Sequence, residues 1–208
     1  MKVSKEYNER RKEIVDAARR LFSTKGYNKC TINDILDAVG IAKGTFYYYF
    51  SSKEEVLDAI INRVAEIVVA RAEEVVSNSE LSPVMKMVNT LLSMRVESEV
   101  DNDLMEELHK PENALMHQKS LSLMVTRVTP ILVKVVDEGI SQGIFKSDFP
   151  TQYMQIFLTS SITLLDDGIF QVKPEEQQMT LRALVALLEK MLGVADETFW
   201  NVTKQYWG

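Results

Sequence analysis

Apolar residues recur along this chain at spacings of three and four, and no apolar–polar alternation persists beyond a few positions. That period predicts helix almost throughout. Glycine and proline are sparse and fall mostly where such helices should stop. The first helix is expected over about residues 8–25, with Ile14, Ala17, Ala18, Leu21 and Phe22 on one face and Gly26 as its C-cap. Thr31 suits an N-cap, and Ile32, Ile35, Leu36 and Val39 form the apolar face of a second helix. Gly40 is expected to close that helix in the left-handed conformation that glycine adopts at little cost. A third helix follows over about residues 43–49.

Ser51 and Ser52 stand three residues ahead of Glu54 and Glu55, the spacing of a capping box, and so start a fourth helix. Val56, Leu57, Ile60, Ile61, Val64, Ile67, Val68 and Val75 carry it to about Ser77. Breaks are expected at Leu81-Ser82-Pro83, in the acidic stretch 97–103 and at Pro111. A long apolar segment over about residues 112–142 contains Pro130, which should kink or divide it. Two more apolar helices are expected over about residues 151–166 and 175–192, before a tail with Phe199, Trp200, Tyr206 and Trp207. The fold class is therefore all-α: an N-terminal three-helix head with a helix-turn-helix, on a larger helical body. The head is placed at residues 1–50, with the start of the fourth helix to about 55, and the body at 51–208.

Composition narrows the picture. With 208 residues and 46% hydrophobic content the chain can bury a substantial core. No apolar run approaches the ~18 residues that a membrane helix needs. The opening MKVSKEYNERRKE is charged and lacks the apolar centre of a signal peptide, so a cytoplasmic protein with no membrane partner is expected. A single cysteine, Cys30, excludes an internal disulfide framework and a multi-cysteine metal site. The net charge of −6 is unevenly spread: residues 1–55 hold eleven Lys and Arg against eight Asp and Glu, and the remainder carries −9. An N-terminal part suited to phosphate and a C-terminal part that would repel it follow from that division.

The third helix concentrates the candidate chemistry. Ala42, Phe46 and Phe50 lie four apart and are expected to pack on the first two helices, which leaves Lys43, Gly44, Thr45, Tyr47 and Tyr48 largely on the other side. Polar and aromatic groups opposite a small apolar core, on two short helices joined by a glycine turn, suit entry into a DNA major groove. Gly44 lets the backbone approach closely, and Thr45 can reach a base edge or a thymine methyl. Lys43 offers a charge to phosphate or guanine, and Tyr47, Tyr48 and Tyr49 offer hydroxyls to phosphate. Thr31 presents an amide and hydroxyl at a helix N-terminus, and Lys53 is a further phosphate candidate. Ordinary core packing explains Phe46 and Phe50, but three adjacent tyrosines on one helix cannot all face one core.

The segments AARRLF (17–22), KGY (25–27), TINDI (31–35), AVGIAKGTFYYYF (38–50) and SKEEVL (52–57) together resemble the TetR/AcrR family of bacterial transcriptional regulators, over about a quarter of the chain. Where many members carry histidine this chain has Tyr49, which keeps a hydrogen-bond donor without the pH sensitivity. The resemblance implies a homodimer whose heads occupy successive major grooves of a near-palindromic operator in double-stranded DNA. It also implies a body that binds a small effector and so releases the DNA, which makes the protein a repressor. A ligand-independent DNA-binding protein controlled by a protein partner is the alternative. No glycine-rich phosphate loop, nucleophile motif or metal cluster suggests an enzyme or a cofactor.

Beyond residue 78 the body must be read from its side chains. Met85, Met87, Met94, Met105, Met116 and Met124 are either core filler or the adaptable lining of an apolar effector pocket. With the polar residues His109, His117 and Arg127, the candidates for effector contact are Met94, Met105 and Met124. His109 and His117 are eight apart across Pro111, a poor spacing for a shared metal, so no metal site is expected. The acidic residues between Glu97 and Glu107 read as a solvated face or as an attraction for a cationic ligand. The segment 180–192 is apolar nearly all round and must be covered on more than one side. With the helix before it, it either packs within one protomer or forms half of a four-helix interface with a second copy, and the resemblance favours the dimer. Its candidate residues are Phe157, Ile162, Leu184, Leu187, Leu188 and Met191.

Overall fold

The computed structural model describes residues 2–94, 110, 113–166, 168–170 and 172–204, with the side chains of residues 2–5 outside that set. The described residues are helical, with no strand among them. The helices are α1 (Lys2–Lys25), α2 (Ile32–Val39), α3 (Lys43–Tyr49), α4 (Lys53–Ser77) and α5 (Pro83–Ser93), followed by α6 (Ala114–Ser141), α7 (Pro150–Leu164), α8 (Pro174–Met191) and α9 (Trp200–Thr203). Two compact units emerge. The first takes in residues 1–64 and 97–120, the second residues 65–96 and 121–208. The first unit includes the start of α4 and the start of α6.

In the first unit α1 begins at Lys2, six residues before the apolar stripe predicts. Nothing in Lys2–Tyr7 breaks a helix, and a polar helical turn gives periodicity nothing to detect. Ile14, Ala17, Ala18 and Phe22 of α1, Ile35 and Leu36 of α2, Phe46 and Phe50, and Val56, Leu57 and Ile60 of α4 are all buried. Three contacts secure the borders of this core. The Lys53 ammonium donates to the carbonyls of Tyr27 (2.7 Å) and Cys30 (2.8 Å) and lies 4.2 Å from the Tyr27 ring centroid. The Tyr27 amide donates to Oδ1 of buried Asn113 at 2.7 Å. Lys119 of α6 reaches both Glu54 and Asp58 of α4 at 2.7 Å. Those two carboxylates raise the Lys119 pKa above its ordinary value.

The second unit has a core of its own. Val68, Met87, Val88, Val128, Leu132, Val135, Val136, Met154, Phe157, Leu158, Leu184 and Leu188 form one buried cluster. Phe199 belongs to the same cluster and packs 5.9 Å from Phe145, so it is a core residue and not part of a loose tail. Pro130 does not divide its helix: α6 runs unbroken from Ala114 to Ser141. Proline removes one backbone bond there, but buried Val128, Thr129, Ile131, Leu132, Val135 and Val136 on either side hold the helix together by packing. Two charges enter the core with partners. Buried Lys86 donates to both carboxylate oxygens of Glu138, at 3.0 and 2.8 Å. Buried Glu189 accepts the amides of Glu197, Phe199 and Trp200 at 2.9, 2.8 and 3.3 Å, and so caps α9.

Candidate nucleic-acid interface

The turn between α2 and α3 is set by its caps. Thr31 is the N-cap of α2: its Oγ1 accepts from the Asp34 amide at 3.2 Å, while its own amide and hydroxyl each donate to Asp34 Oδ2 at 2.7 Å. This is a capping box with aspartate at the third position. Asp34 also receives Lys25 at 2.7 Å, and the Lys25 ammonium, with the Thr31 donors behind it, holds the carboxyl well below the usual carboxylate range. Gly40 ends α2 at φ 73° and ψ 40°, and its amide and that of Ile41 both donate to the Leu36 carbonyl. An alanine there would carry a left-handed penalty of about 1–2 kcal/mol.

On α3, Phe46 is fully buried while Tyr47 is 48% and Tyr48 69% exposed. Lys43 and Gly44 are exposed, and Thr45 and Tyr49 are partly so. Lys43 makes no ion pair among the described residues. Gly44 is helical, its φ is not positive, and no atom lies within 4 Å of where a Cβ would stand. Glycine costs a helix about 1 kcal/mol relative to alanine, and neither conformation nor packing within the protein demands it here. One turn further on the same face stands Tyr48. That juxtaposition leaves room for another molecule to approach the backbone of α3.

Three expectations on this face need correction. Ala42 is exposed, not packed: it is the N-cap of α3, in extended backbone, where helical spacing does not yet apply. The Thr31 amide and hydroxyl are not free for phosphate, because Asp34 takes both. Lys53 points its ammonium at two backbone carbonyls and acts as a staple of the α1–α2 loop. Lys43, Gly44, Tyr47 and Tyr48 are exposed together on one short helix, with Thr45 and Tyr49 at the edges of that surface. Sequence reasoning overlooked Tyr7 of α1, whose ring lies 5.7 Å from Tyr48 and 4.8 Å from Tyr49.

The candidates for effector contact are placed unevenly. Met94 and Met124 are partly buried against the core of the second unit, Arg127 is exposed, and His117 is buried in the first unit. Met105 and His109 lie outside the described residues, as do Arg95, the acidic run and the aromatic residues at 206 and 207. A polar group that sequence reading missed is Thr90, fully buried with no hydrogen-bond partner for its Oγ1 among the described residues. It lies on α5 three residues after Met87 and four before Met94, the C-cap residue of that helix. Cys30 is buried, and burial, with Asp34 second, pushes its thiol pKa up, which disfavours the reactive thiolate.

The expected dimer residues also divide. Phe157, Leu184 and Leu188 are buried in the core of their own unit. Ile162 and Met191 are half-buried, and Leu187 is exposed. The outward face of α8 carries Met179, Ala183, Ala186 and Leu187, and Ile156 is the exposed apolar residue in the middle of α7. Among the described residues no helix is long and apolar enough to cross a membrane, and no group of acidic, histidine or cysteine residues is arranged to hold a metal.

Two short helices at a left-handed glycine turn, with the second offering lysine, threonine and tyrosines outward, define a helix-turn-helix DNA-binding protein. Residues 14–60 match the family model described as bacterial regulatory proteins, tetR family, and residues 96–187 match the tetracyclin repressor-like C-terminal domain. The chain belongs to the TetR family of transcriptional regulators. Its relatives include the HTH-type transcriptional repressor KstR2 of Mycobacterium tuberculosis, 25% identical over 160 residues that cover 76% of this chain and 80% of the relative. KstR2 of Rhodococcus jostii is 27% identical over 151 residues, 72% of this chain and 74% of the relative. Among solved structures, RolR in complex with resorcinol superposes with a TM-score of 0.65 over 97% of this chain and 96% of RolR. At 16% identity that likeness concerns the fold alone.

Proposed function

We propose that this regulator is a cytoplasmic homodimeric repressor whose two α3 helices read the half-sites of a near-palindromic operator, and that a small, largely apolar effector releases it. It acts by binding, not by catalysis. The observation that carries the DNA reading is the exposed Tyr48 one turn after a helical Gly44 that nothing among the described residues requires. Lys43 supplies charge to phosphate or guanine, Thr45 a hydroxyl and methyl for a base edge, and Tyr47 to Tyr49 their hydroxyls for the backbone. Dimerisation is supported by Ile156, Met179 and Leu187, apolar residues exposed beside the small Ala183 and Ala186. An effector in the second unit is supported by the Thr90 hydroxyl, buried and unpaired among the described residues, three residues after Met87 and four before Met94. A buried unpaired hydroxyl costs about 1–3 kcal/mol, which a ligand acceptor would recover.

Release follows by linkage: an effector that favours a dimer with mismatched head spacing must weaken DNA binding by the factor by which operator weakens effector binding. Helix α4, continuous from Lys53 to Ser77, is the route from body to head. Selection of duplexes from a random-sequence pool tests the reading. Two inverted half-sites with centres roughly 34–36 Å apart, occupied by two protomers, are expected. Failure to enrich any sequence, or one protomer on one unrepeated site, would reject it.

A further inference from the structure

We propose that Tyr7 of α1 is a positioning residue for DNA recognition: it holds the ring of Tyr48 in place on the reading face, and thereby sets operator affinity and base preference. The inference rests on the reading of α3 as the DNA-contacting helix.

Helix α1 presents one stripe at helical spacing through Tyr7, Arg11, Ile14 and Ala18. Ile14 and Ala18 end in the buried core. Arg11, one turn earlier, lies with its guanidinium 4.8 Å from the centroid of Phe50 just after α3. Tyr7, a turn earlier still, passes the edge of the core and meets the outward tyrosines. It forms a T-shaped pair with Tyr48 at 5.7 Å and a tilted pair with Tyr49 at 4.8 Å. Tyr48 and Tyr49 stand 5.0 Å apart edge to face, so the three rings close a triangle.

An exposed tyrosine samples several rotamers, and binding must freeze one of them. Tyr48, at 69% exposure, is flanked on the protein side by the rings of Tyr7 and Tyr49. The Tyr7 ring meets that ordering cost before DNA arrives, without itself having to touch a base. Ring geometry, not the Tyr7 hydroxyl, makes these contacts, so phenylalanine should serve equally well at position 7.

The test is a double-mutant cycle on the duplex that the wild-type protein selects from random-sequence DNA, on its single-base-pair variants and on an unrelated duplex. Tyr7→Ala is expected to weaken operator binding roughly two- to tenfold, the worth of such ring pairs. It should leave binding to the unrelated duplex unchanged. It should also relax preference at the base pairs that Tyr48→Ala relaxes, Tyr7→Phe should restore both properties, and the double variant should be no weaker than Tyr48→Ala alone. Additive losses, an equal loss on both duplexes, or a Tyr7→Phe variant as weak as Tyr7→Ala would overturn the proposal. If Tyr48→Ala weakens operator binding and Tyr7→Ala does not, positioning alone is rejected. If Tyr48→Ala binds the operator like wild type, the reading of α3 fails and this inference with it.

Discussion

The backbone amide of Tyr27 donates to Oδ1 of Asn113, 86 residues further along the chain, at 2.7 Å and out of reach of solvent. One side chain thus satisfies the loop between α1 and α2 and anchors the start of α6 to the head. Removing it leaves a buried amide unpaired, which costs about 1–3 kcal/mol. Asn113→Ala is expected to lower stability by that amount in urea unfolding with an unchanged m-value. A midpoint equal to wild type would show that the contact contributes nothing.

The α2 cap makes stability pH-dependent. Asp34 is held below its ordinary pKa chiefly by Lys25 and then by Thr31, and Glu55 is held down by the hydroxyl and amide of Ser51. A carboxylate whose folded pKa is depressed contributes fully above its unfolded value, about 3.9 for Asp and 4.3 for Glu, and loses that contribution as pH falls towards the folded value. Thermal midpoints are therefore expected to fall between about pH 5 and pH 3. The fall should be shallower in Asp34→Asn. An identical pH slope in wild type and Asp34→Asn would contradict the assignment.

Leu184 and Leu187 share α8 and are expected to behave oppositely. Leu184 is buried and Leu187 exposed. Leu184→Ala should cost roughly 2–5 kcal/mol of unfolding free energy through the cavity it leaves. Leu187→Glu should leave the protomer folded and shift sedimentation from dimer to monomer. A dimer undisturbed by Leu187→Glu would remove this face from the interface.

The sequence exposed the head more fully than the body, for physical reasons. Gly40, the Thr31 cap and the Phe46–Phe50 spacing are local signals, and the structure places all of them as expected. Helix α3 ends at Tyr49 as read, because Gly40 and the shift to extended backbone at Phe50 bracket it. What failed was the destination of polar groups. The Thr31 hydroxyl goes to Asp34, three residues on at capping-box spacing, a signal the sequence carries. The Lys53 ammonium goes to carbonyls more than twenty residues away, which spacing on one helix cannot reveal. Tyr7 was invisible because it lies in a polar turn whose partner is on another helix. In the body, a segment such as 180–192 that is apolar nearly all round gives no sign of which side packs within the protomer, where Leu184 and Leu188 are buried. Glu189 did carry a signal: an acid inside an apolar run demands buried donors, and three backbone amides supply them.

The central claim is that Lys43 and Tyr48 lie on the surface that touches DNA, and a salt series tests it most directly. The measurement is fluorescence anisotropy of the selected duplex and of an unrelated one, titrated with wild type, Lys43→Ala and Tyr48→Ala. Lys43→Ala should weaken binding and reduce the slope of log affinity against log salt by about one per protomer. Tyr48→Ala should keep the slope and lose affinity for the selected duplex more than for the unrelated one. Wild-type affinity and slope in both variants would contradict the account.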